Sequence, residues 1–214
     1  MEYRSSFVFF VALALLFQSG VALATPKVVI NEIMYDPADD HKDYDGEWIE
    51  LYNNESVLVD LGGWNISYDG HTEYTFPNNS VIHSGDFIVV SRNTTWFQIT
   101  YGKGTLGDNL FGNLSSYRFS NSGTHWIALI AKNGTVVDNV TYTGGLCSEN
   151  HSLERKDPLG SSDATSVREG SNWACSQING GTPLKKNSVY VPFFGSYLLT
   201  VLVVLVLILG VRRA

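Results

Sequence analysis

Two long apolar stretches that bracket a polar middle are the feature that most limits how this chain folds. Near the N-terminus, Arg4 precedes the uncharged run 7–17, and Ala-Leu-Ala at 22–24 forms a small-x-small cleavage site. This is the pattern of a secretory signal peptide. We expect cleavage to remove residues 1–24 and to export the chain from Thr25 onward. An uncleaved N-terminal anchor is the alternative, since the stretch lacks charge.

The second apolar stretch, residues 193–211, contains no charged residue and is followed by Arg212 and Arg213. An α-helix of this length would be about 28 Å long, which matches the hydrocarbon core of a bilayer. Lys and Arg are equally frequent on its two sides, so the signal peptide has to set the orientation. The sequence therefore predicts a single-pass protein of the cell membrane, with its middle outside the cytoplasm and residues 212–214 inside.

Two alternatives to a simple membrane span concern processing of the C-terminus. A GPI-type signal would have its tail removed and does not normally end in two arginines. The tripartite sorting signals of archaeal surface proteins combine a Pro-Gly-Phe motif, an apolar helix and a basic end. Residues 192–195 are instead Pro-Phe-Phe-Gly, so cleavage by a sortase-like enzyme stays open.

The middle of the chain has the length of one domain. Without the two ends, about 165 residues remain, which is too few for two ordinary domains. We place the domain at residues 25–184 and a linker at 185–192. The formal net charge is −7, with 14 Lys and Arg against 21 Asp and Glu. Since nucleic-acid-binding domains carry clustered Lys and Arg, no nucleic-acid partner is expected.

The chain contains two cysteines, Cys147 and Cys175. Thiols are usually oxidised outside the cytoplasm, so we expect a disulfide between them. It would close a loop of about 29 residues and contribute about 3.5 kcal/mol by restricting the unfolded chain. Two buried free thiols are the alternative.

Half of the 16 asparagines stand in Asn-x-Ser/Thr sequons. All eight sequons lie in the expected exterior domain, which favours a surface protein of a cell that glycosylates asparagine. A turn-forming role is the alternative for any single one. The predicted acceptors are Asn54, Asn65, Asn78, Asn93, Asn113, Asn133, Asn139 and Asn150.

Short runs rich in β-branched and aromatic residues recur between Gly, Asn, Asp and Pro, and no segment keeps a helical apolar period over three turns. The sequence therefore predicts an all-β domain, with one helical turn at 93–101. Within 47–53, alternation places Ile49 and Leu51 on the core side and Glu50 on the other. The expected strands are 27–34, 47–53, 63–68, 73–76, 86–91, 125–131, 136–142 and 152–155.

A series of short motifs identifies the family that this domain resembles. In chain order they are Ile-Asn-Glu-Ile-Met-Tyr at 30–35, Glu-Trp-Ile-Glu-Leu-Tyr-Asn at 47–53, Asp-Leu-Gly-Gly-Trp at 60–64, Phe-Pro at 76–77, Ser-Gly-Asp at 84–86, Asn-Gly at 133–134, Ser-Leu-Glu-Arg at 152–155 and Gly-Thr-Pro at 181–183. Their order and spacing resemble the lamin-tail domain of prokaryotic, especially archaeal, surface proteins. The resemblance covers residues 28–183 and implies an immunoglobulin-like β-sandwich.

This resemblance also implies a non-catalytic module. Lamin-tail domains generally act as structural or binding modules, in prokaryotes often beside secreted nucleases or other hydrolases, and in lamins as partner-binding tails. The motif residues themselves are expected to be structural. Trp64 follows a Gly-Gly turn and suits a core anchor, while Glu32 and Glu50 are expected to bind backbone groups.

No constellation of catalytic residues accompanies these motifs. The five histidines, at 41, 71, 83, 125 and 151, lack His-x-x-x-His or His-x-His spacing, so a zinc site has no support. Neither a Gly-x-Ser-x-Gly elbow nor a phosphate-binding loop occurs. We therefore expect a protein that is not an enzyme and that needs no cofactor.

One acidic loop is the exception that suggests a ligand. A Ca²⁺ ion, which takes about six to eight oxygen ligands, would relieve the mutual repulsion of its carboxylates. The EF-hand pattern fails because His41 and Tyr52 occupy ligand positions, so a solvated loop is the alternative. The predicted metal ligands are Asp36, Asp39, Asp40, Asp43 and Asp45.

The sequence as a whole predicts a membrane-anchored, extracytoplasmic structural or binding module. Its partners would be the membrane, through residues 193–211, and envelope proteins or glycans. An accessory module of a surface hydrolase or nuclease is the second hypothesis, and a metal-dependent hydrolase that uses residues 36–47 is the third. The aromatic residues expected to contact glycans or partners are Trp96, Phe97, Tyr101, Tyr117 and Phe119.

Overall fold

The computed structural model describes residues 28–38, 45–102, 109–115 and 117–190. The predicted signal peptide and the predicted membrane span lie outside these residues. Within them the chain forms thirteen strands and one helix. In chain order they are β1 (Val28–Met34), β2 (Trp48–Asn53), β3 (Val59–Asp60), β4 (Asn65–Tyr68), β5 (His71–Thr75), β6 (Val81–Ile82), β7 (Phe87–Ser91), α1 (Thr94–Tyr101), β8 (Leu110–Gly112), β9 (Thr124–Ile130), β10 (Val136–Thr143), β11 (Leu153–Arg155), β12 (Asp163–Ala164) and β13 (Trp173–Cys175).

Two sheets form the body of the fold. The six-stranded sheet has the order β13-β11-β1-β2-β7-β8, the five-stranded sheet has the order β12-β10-β9-β4-β5, and β3 pairs with β6 separately. Neighbouring strands run antiparallel except in the parallel pairs β7–β8 and β10–β12. The core between the sheets takes Ile49 and Leu51 from one and Ile66, Ile127 and Val140 from the other. The predicted all-β class is confirmed.

All eight strands expected from the sequence are present, with ends within two residues of the predicted ones. The five further strands, β3, β6, β8, β12 and β13, have two or three residues each, which is too short for alternation to show. The expected helical turn is the eight-residue α1, and its N-cap Asn93 accepts a hydrogen bond from Trp96 N at 3.0 Å. Among the described residues, no helix combines the length and apolarity needed to span a bilayer.

The six-stranded sheet is buried on both faces. Ile49 and Leu51 point into the core as predicted, yet Trp48 and Glu50 on the opposite side of β2 are also fully buried. In a two-layer protein, that side would ordinarily face water. Instead, α1 packs on it at one end, and residues 180–190 cover the part beside it. Trp64, the expected core anchor, is partly buried against the core.

A buried ion pair connects the two sheets. Arg155 of β11 donates to Asp138 of β10 at 2.9 Å, and both side chains are buried. Asp138 also accepts from Ile30 N of β1 at 2.9 Å. The Arg155 guanidinium lies 4.9 Å from the centre of the Trp173 ring on β13. Four strands from both sheets therefore share one charge pair.

The predicted disulfide is present. Cys147 and Cys175 are joined, with their Cα atoms 5.4 Å apart. The bond fastens β13, an edge strand of the six-stranded sheet, to the segment that precedes β11. Because β13 has only three residues, its short ladder gains from a link that restricts the unfolded chain.

We expect Asp138→Ala to lower the free energy of unfolding by about 3–5 kcal/mol, because it leaves the Arg155 guanidinium buried without its counter-charge. Urea denaturation of the oxidised protein measures this loss. Glu169→Ala, at an exposed position, is the control and should change stability by less than about 0.5 kcal/mol. A loss at Asp138 no larger than the control's would contradict the role assigned to the ion pair.

Candidate functional site

The outer face of the six-stranded sheet, which is turned away from the core, carries the most unusual chemistry in the described part of the chain. Alternation along β2 puts Trp48, Glu50 and Tyr52 on this face in that order. Tyr52 lies opposite Phe87 of β7. The face therefore has an apolar, an acidic and an aromatic zone along the strands.

The apolar zone is covered by α1. Phe97 of the helix packs against Trp48, and their ring centres lie 6.0 Å apart in an edge-to-face arrangement. Tyr101 accepts a hydrogen bond from Trp48 Nε1 at 3.2 Å and donates one to the Gly180 carbonyl at 2.7 Å. One hydroxyl group thus joins the helix, the sheet and the C-terminal residues.

The acidic zone consists of three glutamates on adjacent strands, which we call the carboxylate row: Glu32 of β1, Glu50 of β2 and Glu154 of β11. The strand register puts Glu32 directly opposite both of the others, so the three side chains stand side by side. All three are fully buried. Because like charges opposite each other destabilise a sheet, the row requires donors, protons or cations around it.

The donors come from residues 180–190, which we call the C-terminal strap. The backbone N–H groups of the strap donate to each member of the row: Thr182 to Glu32 at 2.8 Å, Leu184 to Glu50, and Val189 to Glu154 at 3.1 Å. The expectation that Glu32 and Glu50 bind backbone groups is therefore confirmed.

Side chains of the strap strengthen this attachment. The Thr182 hydroxyl lies 3.0 Å from Glu32 Oε2 and 2.9 Å from Glu154 Oε1. Asn187 is buried, and its Nδ2 donates to the Arg155 carbonyl at 2.8 Å. The strap is therefore part of the domain, and packed structure continues beyond residue 184, where the sequence placed the start of a linker.

Among the residues that the structure describes, no cationic side chain neutralises the row. Burial is the main cause, and repulsion from Glu154 the second, that raises the pKa of Glu32 to about 8. Burial, followed by repulsion from Glu32, raises the pKa of Glu50 well above its ordinary value. Within the described ranges, no Lys, Arg or His side chain forms an ion pair with the row. These surroundings favour the neutral carboxyl form of Glu32 and Glu50 over the carboxylate.

The aromatic zone ends in a cleft of about 210 Å³ beside the strap. The rings of Tyr52 and Phe87 lie 4.9 Å apart on its sheet side. On its strap side, Lys186 Nζ lies 3.7 Å from the centre of the Tyr190 ring. Since drug-sized ligands occupy pockets of roughly 300–1,000 Å³, this cleft suits a smaller chemical group.

The predicted metal ligands fall partly outside the described residues. Asp36 and Asp45 lie inside them, whereas Asp39, Asp40 and Asp43 do not. Asp36 Oδ1 accepts a hydrogen bond from Asn121 Nδ2 at 2.7 Å. In the part of the chain that the structure describes, no group of His, Cys, Asp and Glu side chains is arranged to hold a metal ion. The calcium site stays a prediction from the sequence.

None of the eight predicted glycosylation sites is buried, and their glycosylation stays a prediction. The exposed acceptors are Asn54, Asn78, Asn113, Asn133 and Asn139, and the half-buried ones are Asn65, Asn93 and Asn150.

The aromatic residues expected to contact glycans or partners differ in how far the fold buries them. Phe97 and Phe119 are buried in the interior. Trp96 and Tyr101 are half-buried at the helix. Tyr117 is exposed and stacks on His71, with ring centres 4.2 Å apart. The aromatic cleft at Tyr52 escaped the sequence reasoning because its strap side lies far along the chain.

Comparison with known proteins places this fold in a family. A family model described as Lamin Tail Domain matches residues 22–144, which is more than half of the 214 residues. The chain belongs to the lamin tail domain family. Among solved structures it is similar to a DUF4876 family protein from Bacteroides thetaiotaomicron VPI-5482, with 12% identity and a TM-score of 0.42 over 78% of this chain and 72% of that chain. No curated protein matches it.

The carboxylate row of this lamin tail domain extends past the matched range. Glu32 and Glu50 lie inside residues 22–144, and Glu154 and the whole strap lie beyond them. Sequence reasoning assigned a backbone-binding role to the first two glutamates only. The signal for the third was its place in the strand 152–155, where alternation with the buried Leu153 turns Glu154 to the outer face.

We expect Gly181→Ala to loosen the strap, because an added Cβ would lie 2.4 Å from Glu32 Oε1 and 2.6 Å from Ser152 Oγ, at a backbone φ of +77°. Gly170→Ala is the matched control, with φ +87° and no atom within 4 Å of the added Cβ. Both variants share a backbone cost of about 1 kcal/mol. Crowding should cost Gly181→Ala about 1–3 kcal/mol more in urea denaturation. Equal losses would contradict the close seating of the strap.

Proposed function

We propose that this lamin tail domain is a membrane-anchored, extracytoplasmic module that acts structurally or by binding, without catalysis. The observation that carries the proposal is the seating of the strap on the carboxylate row, because the strap directly precedes the predicted span 193–211. The domain would be held to its own anchor by packed structure rather than by a free linker.

The position of the strap suits a connection of this kind. It binds β11, β1 and β2, which are neighbours within the six-stranded sheet. A force applied beyond Tyr190 would therefore be shared by three paired strands. Residues 191 and 192 alone separate Tyr190 from the predicted span, and two extended residues reach only about 7 Å. The aromatic cleft and the exposed Lys185 and Lys186 would then lie at the membrane surface.

Internal partners of the polar groups support a non-catalytic role. His125 has both ring nitrogens engaged, Nδ1 with Asp69 Oδ2 at 2.6 Å and Nε2 with the Ser122 carbonyl at 2.9 Å. A general base needs a nitrogen that can reach the substrate. Arg92 binds Glu47 at 2.6 Å in a buried ion pair.

An accessory module of a surface hydrolase or nuclease is the second candidate, because it would use the same binding surfaces.

The outer face of the five-stranded sheet is the surface on which we propose glycans. Asn65 of β4 and Asn139 of β10 both point away from the core, because their neighbours Ile66 and Val140 point into it. Glycans at these two sites would cover the side of the sandwich opposite the strap. The aromatic cleft would stay open to partners from the envelope.

We expect a chain that ends at Tyr190 to be secreted, while the full chain stays in membranes after a carbonate wash. Both chains are produced in a host that exports and N-glycosylates proteins, and immunoblots of medium and membranes locate them. Enzymatic removal of N-glycans should lower the apparent mass of both. Retention of the shortened chain in washed membranes would instead indicate an uncleaved N-terminal anchor.

We expect the full chain to bind envelope glycans or proteins saturably and to leave nucleic acid, phosphoester and glycan substrates intact. Tyr52→Ala should weaken the binding roughly three- to tenfold through loss of one stacking ring. Val136→Ala, which shortens an exposed apolar side chain outside the cleft, is the control and should have no effect. Turnover of a substrate that is lost on replacing a carboxylate would contradict the non-catalytic role.

A further inference from the structure

The hydroxyl group of Thr182 lies within hydrogen-bond distance of two carboxyl groups of the row, although it has only one proton to donate. Thr182 Oγ1 lies 3.0 Å from Glu32 Oε2 and 2.9 Å from Glu154 Oε1. A hydroxyl group has a single proton, so it can make a full, near-linear hydrogen bond to only one of these oxygens, and sharing it between both would weaken each bond. The second contact is a full hydrogen bond only if the carboxyl oxygen carries a proton and donates it to Thr182 Oγ1.

The other two oxygens of these glutamates already accept hydrogen bonds. Glu32 Oε1 accepts from Thr182 N and Ser152 Oγ. Glu154 Oε2 accepts from Ser188 Oγ at 2.7 Å and from Val189 N at 3.1 Å. The additional proton therefore belongs on Glu32 Oε2, which faces Thr182, so that Thr182 Oγ1 accepts from Glu32 and donates to Glu154 Oε1.

Among the described residues, the groups in contact with the row provide no positive charge that could replace this proton. Across the sheet, the neighbours of the row are uncharged: Val89 lies opposite Glu50, and Ala174 lies opposite Glu154. From α1, the Tyr101 hydroxyl is engaged by Trp48 and Gly180. The other titratable groups on the elements packed around Glu32 and Glu154 include Glu50 of β2, Tyr101 of α1, and Lys185 and Lys186 of the strap. Both lysine side chains are exposed.

We propose that one proton, carried by Glu32 and donated to Thr182 Oγ1 while the Thr182 hydroxyl donates to Glu154, closes the strap over the sheet, and that loss of this proton to solvent opens the strap. Without the proton, two buried carboxylates would face one hydroxyl that can satisfy only one of them, and an unpaired buried charge is costly. The device concerns the strap alone, and it holds whether or not residues 193–211 cross a membrane.

The direction of the pH dependence follows from the environment of Glu32. Burial and Glu154 raise its pKa in the folded protein from the ordinary 4.5 to about 8. A group whose folded pKa is raised gives stability that is fully present below the unfolded pKa and is lost as pH rises through the folded pKa. The free energy that holds the strap closed should therefore be fully present below about pH 4.5, fall as the pH rises from there, and be lost by about pH 8.

Trypsin cleavage of the full chain tests the proposal, because Lys185 and Lys186 lie in the strap. The rate of cleavage there is divided by the rate at Arg168, an exposed site in another loop, which cancels the pH dependence of the protease. Between pH 6 and 9.5 we expect this ratio to rise about tenfold or more and to level off above pH 8, since the opening equilibrium grows by up to about tenfold per pH unit below the folded pKa of Glu32 and no further above it. A constant ratio would overturn the proposal.

Glutamine substitutions test the location of the proton. In Glu154→Gln, the amide N–H₂ would donate permanently to Thr182 Oγ1, while the amide oxygen would still accept from Ser188 and Val189. We expect the cleavage ratio of this variant to stay low up to pH 9.5. Glu32→Gln should do the same, and it serves as a second variant if the first fails to fold. A wild-type rise in a folded single variant would overturn the proposal.

The double variant and a distant control complete the test. Glu32→Gln with Glu154→Gln would turn two N–H₂ groups toward one hydroxyl, which could accept from both but would have no acceptor for its own proton, so we expect its ratio at pH 6 to exceed that of either single variant. A double variant as closed as the single ones would contradict a single additional proton. Glu169→Gln, at an exposed position, should keep the wild-type rise. Near-UV circular dichroism must stay native, because a ratio that rises only with global unfolding would also contradict the proposal.

Discussion

The burial of three carboxyl groups on the outer face of one sheet is the constraint on which the rest of the structure depends. Each buried carboxyl group would cost several kcal/mol without hydrogen-bond partners. The backbone of the C-terminal strap supplies those partners to Glu32, Glu50 and Glu154. The same cover extends to Trp48 through the Tyr101 hydroxyl. Strap, helix and sheet are therefore stabilised together, and none of the three buries its apolar surface alone.

Buried carboxyl groups are stabilised differently on the two faces of the six-stranded sheet. On the core side of the six-stranded sheet, Asp138 pairs with Arg155, and Glu47 pairs with Arg92. Burial still raises the pKa of Glu47 to about 7, because desolvation outweighs the attraction of Arg92. On the outer face, the row has dipoles and hydroxyl groups but no arginine within the described residues. A fixed guanidinium charge cannot leave, whereas a proton can, so the outer face is the one that responds to pH in its attachment to the strap.

Alternation and turn residues predicted much of the fold, but not the cover on the outer face. Ile49 and Leu51 were assigned correctly because a strand's period of two separates a core side from the other side. The same period put Glu50 on the side away from the core, and the motifs indicated that Glu32 and Glu50 bind backbone groups, but neither showed which part of the chain supplies those groups. What buries the two glutamates lies more than 130 residues further along the chain, and a local pattern carries no information about so distant a partner. The strap itself has no periodicity, because its backbone is fixed by contacts with side chains rather than by its own secondary structure.

The family match ends between the first two glutamates of the carboxylate row and the third. The matched residues 22–144 contain Glu32 and Glu50 but neither their neighbour Glu154 nor any residue of the strap. The segment beyond residue 144 adds β11 and β13 to the sheet, and then returns across its outer face. Its disulfide, Cys147 to Cys175, spans the start of this addition and the last strand before the strap. The addition is thus locked at both ends before the strap begins, and the strap can open at its hydrogen bonds without unfolding the sheet to which it binds.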